Sequence, residues 1–94
     1  MRRIVIDCKG VASVAEFWQR YLDAARPQHG ESFGRNLDAF EDALAGGPGW
    51  PGDCELVFKN TDDLRALKTV GGASFLKGLR STASQSSDIR IVLS

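Results

Sequence analysis

The chain is short of the residues that most often announce a chemistry. Its 94 residues include two cysteines and one histidine, too few for a disulfide scaffold or a structural zinc site. Neither sign of charge is in excess, since twelve Lys and Arg face twelve Asp and Glu. A protein that holds nucleic acid by bulk charge shows a basic surplus, so that class is set aside. Long apolar runs are missing too. Met1-Arg2-Arg3 is followed by only Ile4-Val5-Ile6 before Asp7, whereas a signal peptide needs about 7–15 apolar residues and a membrane helix about 20. The expectation is a cytoplasmic protein without a membrane segment. The glycine clusters are not phosphate loops: Gly46–Gly52 lacks the terminal Gly-Lys-Ser/Thr, and Gly71-Gly72 has no further glycines at the right spacing.

What remains suits one globular domain spanning residues 1–94, 43 % hydrophobic and 26 % charged. The apolar spacing switches between two periods. Ile4-Val5-Ile6 is a short continuous run that suits a buried strand of a parallel sheet. Ser13 and Glu16 form a capping box. Val14, Phe17, Trp18, Tyr21, Leu22 and Ala25 then follow helical spacing until Pro27 stops it. Gln28–Phe33 reads as loop, with Gly34 free to take a positive φ. Asn36 is an N-cap for a second helix with Leu37, Phe40 and Leu44 inward, ended by Gly46. Gly46–Gly52 is irregular loop, and Glu55–Phe58 is a second strand. Thr61, Asp62 and Asp63 cap a short helix through Leu64 and Leu67, and Phe75, Leu76, Leu79 and Ala83 face inward from another. Ile89–Leu93 closes the chain as a third strand. Strands separated by helices require crossover connections. The expected fold is α/β, a three-stranded parallel sheet covered by about four helices. Cys8 and Cys54 then fall at opposite strand ends, about four residues of roughly 3.3 Å apart, beyond the ~7 Å Cα separation that a disulfide allows. Free thiols are expected.

The second helix carries the unusual chemistry. Asp38, Glu41 and Asp42 stand at i, i+3 and i+4, so three carboxylates share one face. Between Glu31 and Gly46 there are four acids and one base, Arg35. Asp38 lies where the helix dipole favours it, but each like-charge pair costs a helix about 0.2–0.5 kcal/mol. Such a row is otherwise a solvated face. Phe33 before it and Trp50 after it set it apart, because aromatics beside charges mark protein interfaces. Trp50 has a second reading, as a cap on the sheet end. Paired carboxylates also serve as acid and base, but catalysis needs a pocket and groups that separate their pKa values. His29 stands alone in a polar loop. No catalytic residue, metal ligand or cofactor is expected.

Phe33-Gly34-Arg35-Asn36-Leu37-Asp38-Ala39-Phe40-Glu41-Asp42-Ala43-Leu44 resembles the signature of the barstar family of ribonuclease inhibitors. That signature is an aromatic, Gly, any residue, Asn-Leu-Asp-Ala, two residues, Asp and an apolar pair. Asp88-Ile89-Arg90-Ile91-Val92-Leu93-Ser94 is similar to the family's last strand. The resemblance implies an intracellular immunity protein whose helix and adjoining loop plug the active site of a small cytotoxic ribonuclease. Asp38 and Asp42 fall on the inhibitory aspartates, standing in for substrate phosphates. Phe33, Gly34, Asn36, Glu41, Ala45, Gly46 and Trp50 would form the surrounding contact surface, with Asn36 and Gly34 also serving to start the helix. The partner implied is a cognate ribonuclease, and the free protein is expected to be a monomer. Ser32 and Glu41 stand where the family's type member has aromatics, and Ser81 and Gln85 where its last helix has acids. These departures, with the neutral net charge, motivate an alternative: a binding module of the same fold with a non-nuclease partner.

Overall fold

The computed structural model describes residues 2–94. Along the chain lie β1 (Arg2–Asp7), α1 (Val14–Ala25), α2 (Leu37–Leu44), β2 (Cys54–Lys59), α3 (Phe75–Gln85) and β3 (Arg90–Leu93), with 3-10 turns at Gly30–Ser32 and Thr61–Leu64. The strands are parallel in the order β1-β2-β3, as alternating strands and helices require. Among the described residues no helix is long and apolar enough to cross a membrane.

Local chemistry starts each helix. The Ser13 hydroxyl accepts from the Glu16 amide at 3.1 Å, and the Glu16 carboxylate reaches one residue beyond the cap to accept from the Ala12 amide at 3.0 Å. That second bond is the main reason the Glu16 carboxyl lies below its ordinary pKa. Ser74 caps α3 by accepting from the Lys77 amide at 3.2 Å. Gly78 lets α2 approach closely, because a Cβ there would lie 2.6 Å from Cδ1 of Leu37.

The core sits on one face of the sheet. Ile4, Leu56 and Ile91 align across the strands, as do Ile6, Phe58 and Leu93, and these rows face the helices. Phe17 of α1 stacks on Phe58 at 5.5 Å and meets the Phe75 ring edge-on at 4.9 Å. The helices cover this face and leave the opposite one uncovered, which corrects the expectation of a buried first strand. Val5 is 44 % exposed between two buried isoleucines, aligned with Val57 and Val92. Both crossovers return over the same side, as connections of one hand in sequential strand order do. Beside the valine row, Glu55 accepts from Nε of Arg3 at 2.9 Å and pairs with Nε of Arg90 at 3.2 Å.

The segment expected as a helix through Leu67 is a single 3-10 turn. Its acids are used elsewhere: Asp63 accepts from the Gly10 amide at 2.8 Å, and Asp62 pairs with Arg65. The Thr61 amide and hydroxyl both donate to the Ser94 carbonyl at 3.0 Å, which ties the start of the turn to the end of the chain. In α3 the buried residue beside Leu79 is Thr82, and Ala83 is only half-buried.

Cys8 and Cys54 are free and buried, as the strand geometry requires. Burial pushes the Cys8 thiol up to about 11, with the Asp7 carboxylate adding to it, and burial raises Cys54 as well. At pH 8 the Cys8 thiolate is then roughly one part in a thousand. Neither thiol should react with Ellman's reagent in the native protein, whereas urea should release both. A fast native phase would contradict the burial.

Candidate functional site

The site is built around α2, a helix of eight residues fixed at both ends. At its start the Asn36 side-chain Oδ1 accepts from the Ala39 amide at 2.7 Å, while its side-chain Nδ2 donates to the Gly34 carbonyl at 3.2 Å. The positive φ expected at Gly34 falls instead on Arg35, at 53°. Gly34 serves close approach, since a Cβ there would lie 3.0 Å from that of Ala39. At the other end Gly46 takes φ 107°, the Gly47 amide donates to the Asp42 carbonyl at 2.8 Å, and the Gly46 amide donates to that of Ala43 at 3.1 Å. This pair of bonds is a Schellman stop.

The loops on either side of α2 are strapped to each other. The Gly49 amide donates to the Gln28 carbonyl at 3.3 Å, and the buried Tyr21 hydroxyl donates to the Gly49 carbonyl at 2.8 Å. Burial raises the Tyr21 phenol, which keeps it a donor. Gly49 lies against Phe33, where a Cβ would come 2.7 Å from Cδ1 of the ring. An exposed Phe33 is therefore corrected. The side chain is 5 % exposed, its centroid 5.4 Å from Trp18 and 5.7 Å from Tyr21. Gly49 closes over it, so it supports the loop from beneath and offers no contact area.

The other residues singled out from sequence lie at the surface. Gly34, Asn36, Asp38, Glu41, Asp42, Ala45 and Gly46 are exposed, and Trp50 keeps 37 % of its surface. Phe40, Ala43 and Leu44 hold the opposite side of α2 in the core. Among the described residues none of the three α2 carboxylates is paired with a cation. The helix is a ridge between two clefts. One, of about 130 Å³, lies between Glu41 and Ala45 on α2 and Thr82, Gln85 and the turn Ser86–Asp88. The second, of about 490 Å³, lies where Arg35–Asp38 face the segment Lys68–Gly71. The far wall of that cleft and the Tyr21–Gly49 strap join distant parts of the chain, and their one local sequence signal is Val70, an apolar residue in a turn. Among the described residues no group of three or more His, Cys, Asp or Glu is placed to hold a metal ion, and His29 is exposed beside Glu31.

An exposed row of carboxylates on a rigid ridge can do one thing well, which is to accept charge-assisted hydrogen bonds from a cationic surface. Residues 1–94, the whole chain, match the family model described as barstar (barnase inhibitor). No curated protein matches the chain.

The strap is directly testable. Tyr21→Phe removes the donor and leaves the Gly49 carbonyl unpaired, a loss of about 1–2 kcal/mol. In a domain of this size each kcal/mol moves the melting temperature by roughly 4–8 °C. Urea unfolding of the variant should show the lower midpoint at unchanged m-value, and an unshifted midpoint would mean the strap contributes nothing.

Proposed function

Because the chain belongs to the barstar family, we propose that it inhibits a small cytotoxic ribonuclease by seating the α2 ridge in the enzyme's active site. The observation that carries this reading is the unpaired row of Asp38, Glu41 and Asp42 on a helix fixed at both ends. A ribonuclease must bind the phosphates of its substrate, so its cleft presents Arg, Lys or His⁺. Carboxylates meet those groups with the same charge and similar acceptor geometry. Asp38 and Asp42, one helical turn apart and so about 6 Å along the axis, take the two phosphate positions. Glu41, Ala45 and Gly46 flank them, Gly34 and Asn36 border the N-terminal side, and Trp50 meets the rim of the cleft.

Rigidity is part of the mechanism. A ridge already ordered by its cap, its Schellman stop and the Gly49 strap loses little freedom on binding, which leaves more of the contact energy as affinity. Close charge pairs across the barnase–barstar interface couple by about 1.5–7 kcal/mol; that complex is the family's own, so the range is carried over to Asp38 and Asp42 and not deduced from them. The ridge acts as a plug and performs no turnover. Its biological setting would be the cytoplasm of the cell that makes the nuclease, protecting that cell as an immunity protein.

The smaller cleft favours a second reading. Across from Glu41 its wall is Thr82, Gln85, Ser86 and Ser87 with Asp88 as the one charge, a mostly uncharged surface that would also suit a protein partner that is not a nuclease. The two readings separate on salt. Ridge-to-cation docking loses on-rate as salt rises, whereas a neutral contact hardly responds.

The test is inhibition of a panel of small secreted ribonucleases, barnase and any nuclease encoded beside this gene included. Wild type should block one member near stoichiometry, and Asp38→Ala or Asp42→Ala should weaken the block by about a hundredfold or more. Full inhibition by both variants would remove the phosphate mimicry.

A further inference from the structure

The ridge accounts for Asp38, Glu41 and Asp42 but leaves the larger cleft unused. That cleft is about 490 Å³. Its apolar lining comes from Val14, Leu37 and Phe75, the first residues of α1, α2 and α3. The opposite wall is a tight turn, closed where the Thr69 amide donates to the Ala73 carbonyl at 2.8 Å and the Gly72 amide to that of Thr69 at 2.9 Å. Val70 on this turn is fully exposed, and nothing among the described residues covers it. Two cations line the cleft. Arg35 donates to the neutral Gln19 amide oxygen at 3.2 Å, and among the described residues neither Arg35 nor Lys68 stands in an ion pair.

A cavity of a few hundred Å³ with an apolar lining and a few charged groups has the usual form of a binding site. Its chemistry is the reverse of the ridge. The ridge is acidic, whereas the cleft sets two cations against one carboxylate, Asp38, which belongs to the ridge as well. Arg35 is also the only base in the acidic segment Glu31–Gly46. The matching occupant is an apolar side chain with a carboxylate beside it. We propose that this cleft is a second recognition site for the inhibited nuclease. It receives an apolar side chain of the enzyme between Val70 and the Leu37–Phe75 wall, while Arg35 and Lys68 hold an adjacent carboxylate. The inference rests on the ribonuclease reading. Asp38 stands on both surfaces, so an enzyme that engages Asp38 with a cation is brought to the mouth of the cleft. Alternating charge along the contact, acidic ridge then basic cleft, fixes register, because a shifted partner meets like charge. Catalytic clefts that share a need for phosphate-binding cations differ in the residues around them, and the cleft reads that difference.

The experiment measures association and dissociation of the most tightly inhibited nuclease of the panel with wild type, Val70→Ser, Lys68→Glu, Asp38→Ala and Val5→Ser. Val70 is fully exposed, so Val70→Ser should melt with wild type, and Val5→Ser reports on loss of a valine from the bare sheet face. Val70→Ser and Lys68→Glu should each weaken binding by about tenfold or more, the first mainly through faster dissociation. Val5→Ser should stay within roughly twofold. If Val70→Ser and Lys68→Glu both bind like wild type while Asp38→Ala fails, the cleft is idle and the ridge mechanism stands. Should wild type bind no member of the panel, the ribonuclease reading falls and this inference with it.

Discussion

The indole of Trp18 holds the parts of the site in one place. Its centroid lies 4.8–6.3 Å from the rings of Phe17, Tyr21, Phe33, Phe40 and Phe75. Those rings come from α1 itself, the loop before α2, α2 and α3. A displacement of Trp18 would therefore move the ridge, its approach loop and the wall of the larger cleft together. The ring carries a cost, since its Nε1 is buried without a hydrogen-bond partner among the described residues, a loss of about 1–3 kcal/mol. Burying an aromatic of 150–250 Å² at about 25 cal/mol per Å² returns roughly 4–6 kcal/mol. The packing term wins, and the orphan donor is tolerated at the centre of the cluster.

The scaffold has to support a helix that would not stand alone. Eight residues are too few for a stable isolated helix, and the like charges on α2 weaken it further. Stability is supplied from outside, by the Asn36 cap, the Gly46 stop and the burial of Phe40, Ala43 and Leu44. One side of the helix is thus spent on anchoring, and the other is free to carry charge that does the fold no good. That division suits the role proposed for the ridge.

Much of this was legible in the sequence wherever the signal is local. The three strands and the three α-helices follow from period and caps, and the shared face of Asp38, Glu41 and Asp42 follows from their spacing. The one-sided sheet did not, because Ile4-Val5-Ile6 reads as a continuous apolar run, and only the return of both crossovers over one face exposes Val5. Phe33 failed for a similar reason. An aromatic next to acids reads as surface until Gly49, far along the chain, is seen to lie on its ring. Arg35 rather than Gly34 takes the left-handed conformation, and the glycine is used instead for the close approach to Ala39. The Lys68–Gly71 wall comes from a segment that has no sequence link to α2 at all.

The two tryptophans occupy opposite environments, and this gives the molecule a pair of optical reporters. Trp18 is sealed among rings, so its emission should be blue and follow the integrity of the core. Trp50 keeps over a third of its surface on the loop beyond α2, so its emission should be red-shifted and open to a soluble quencher. Light from one chain thus carries two records, one of whether the scaffold is intact and one of whether something has settled beside the ridge.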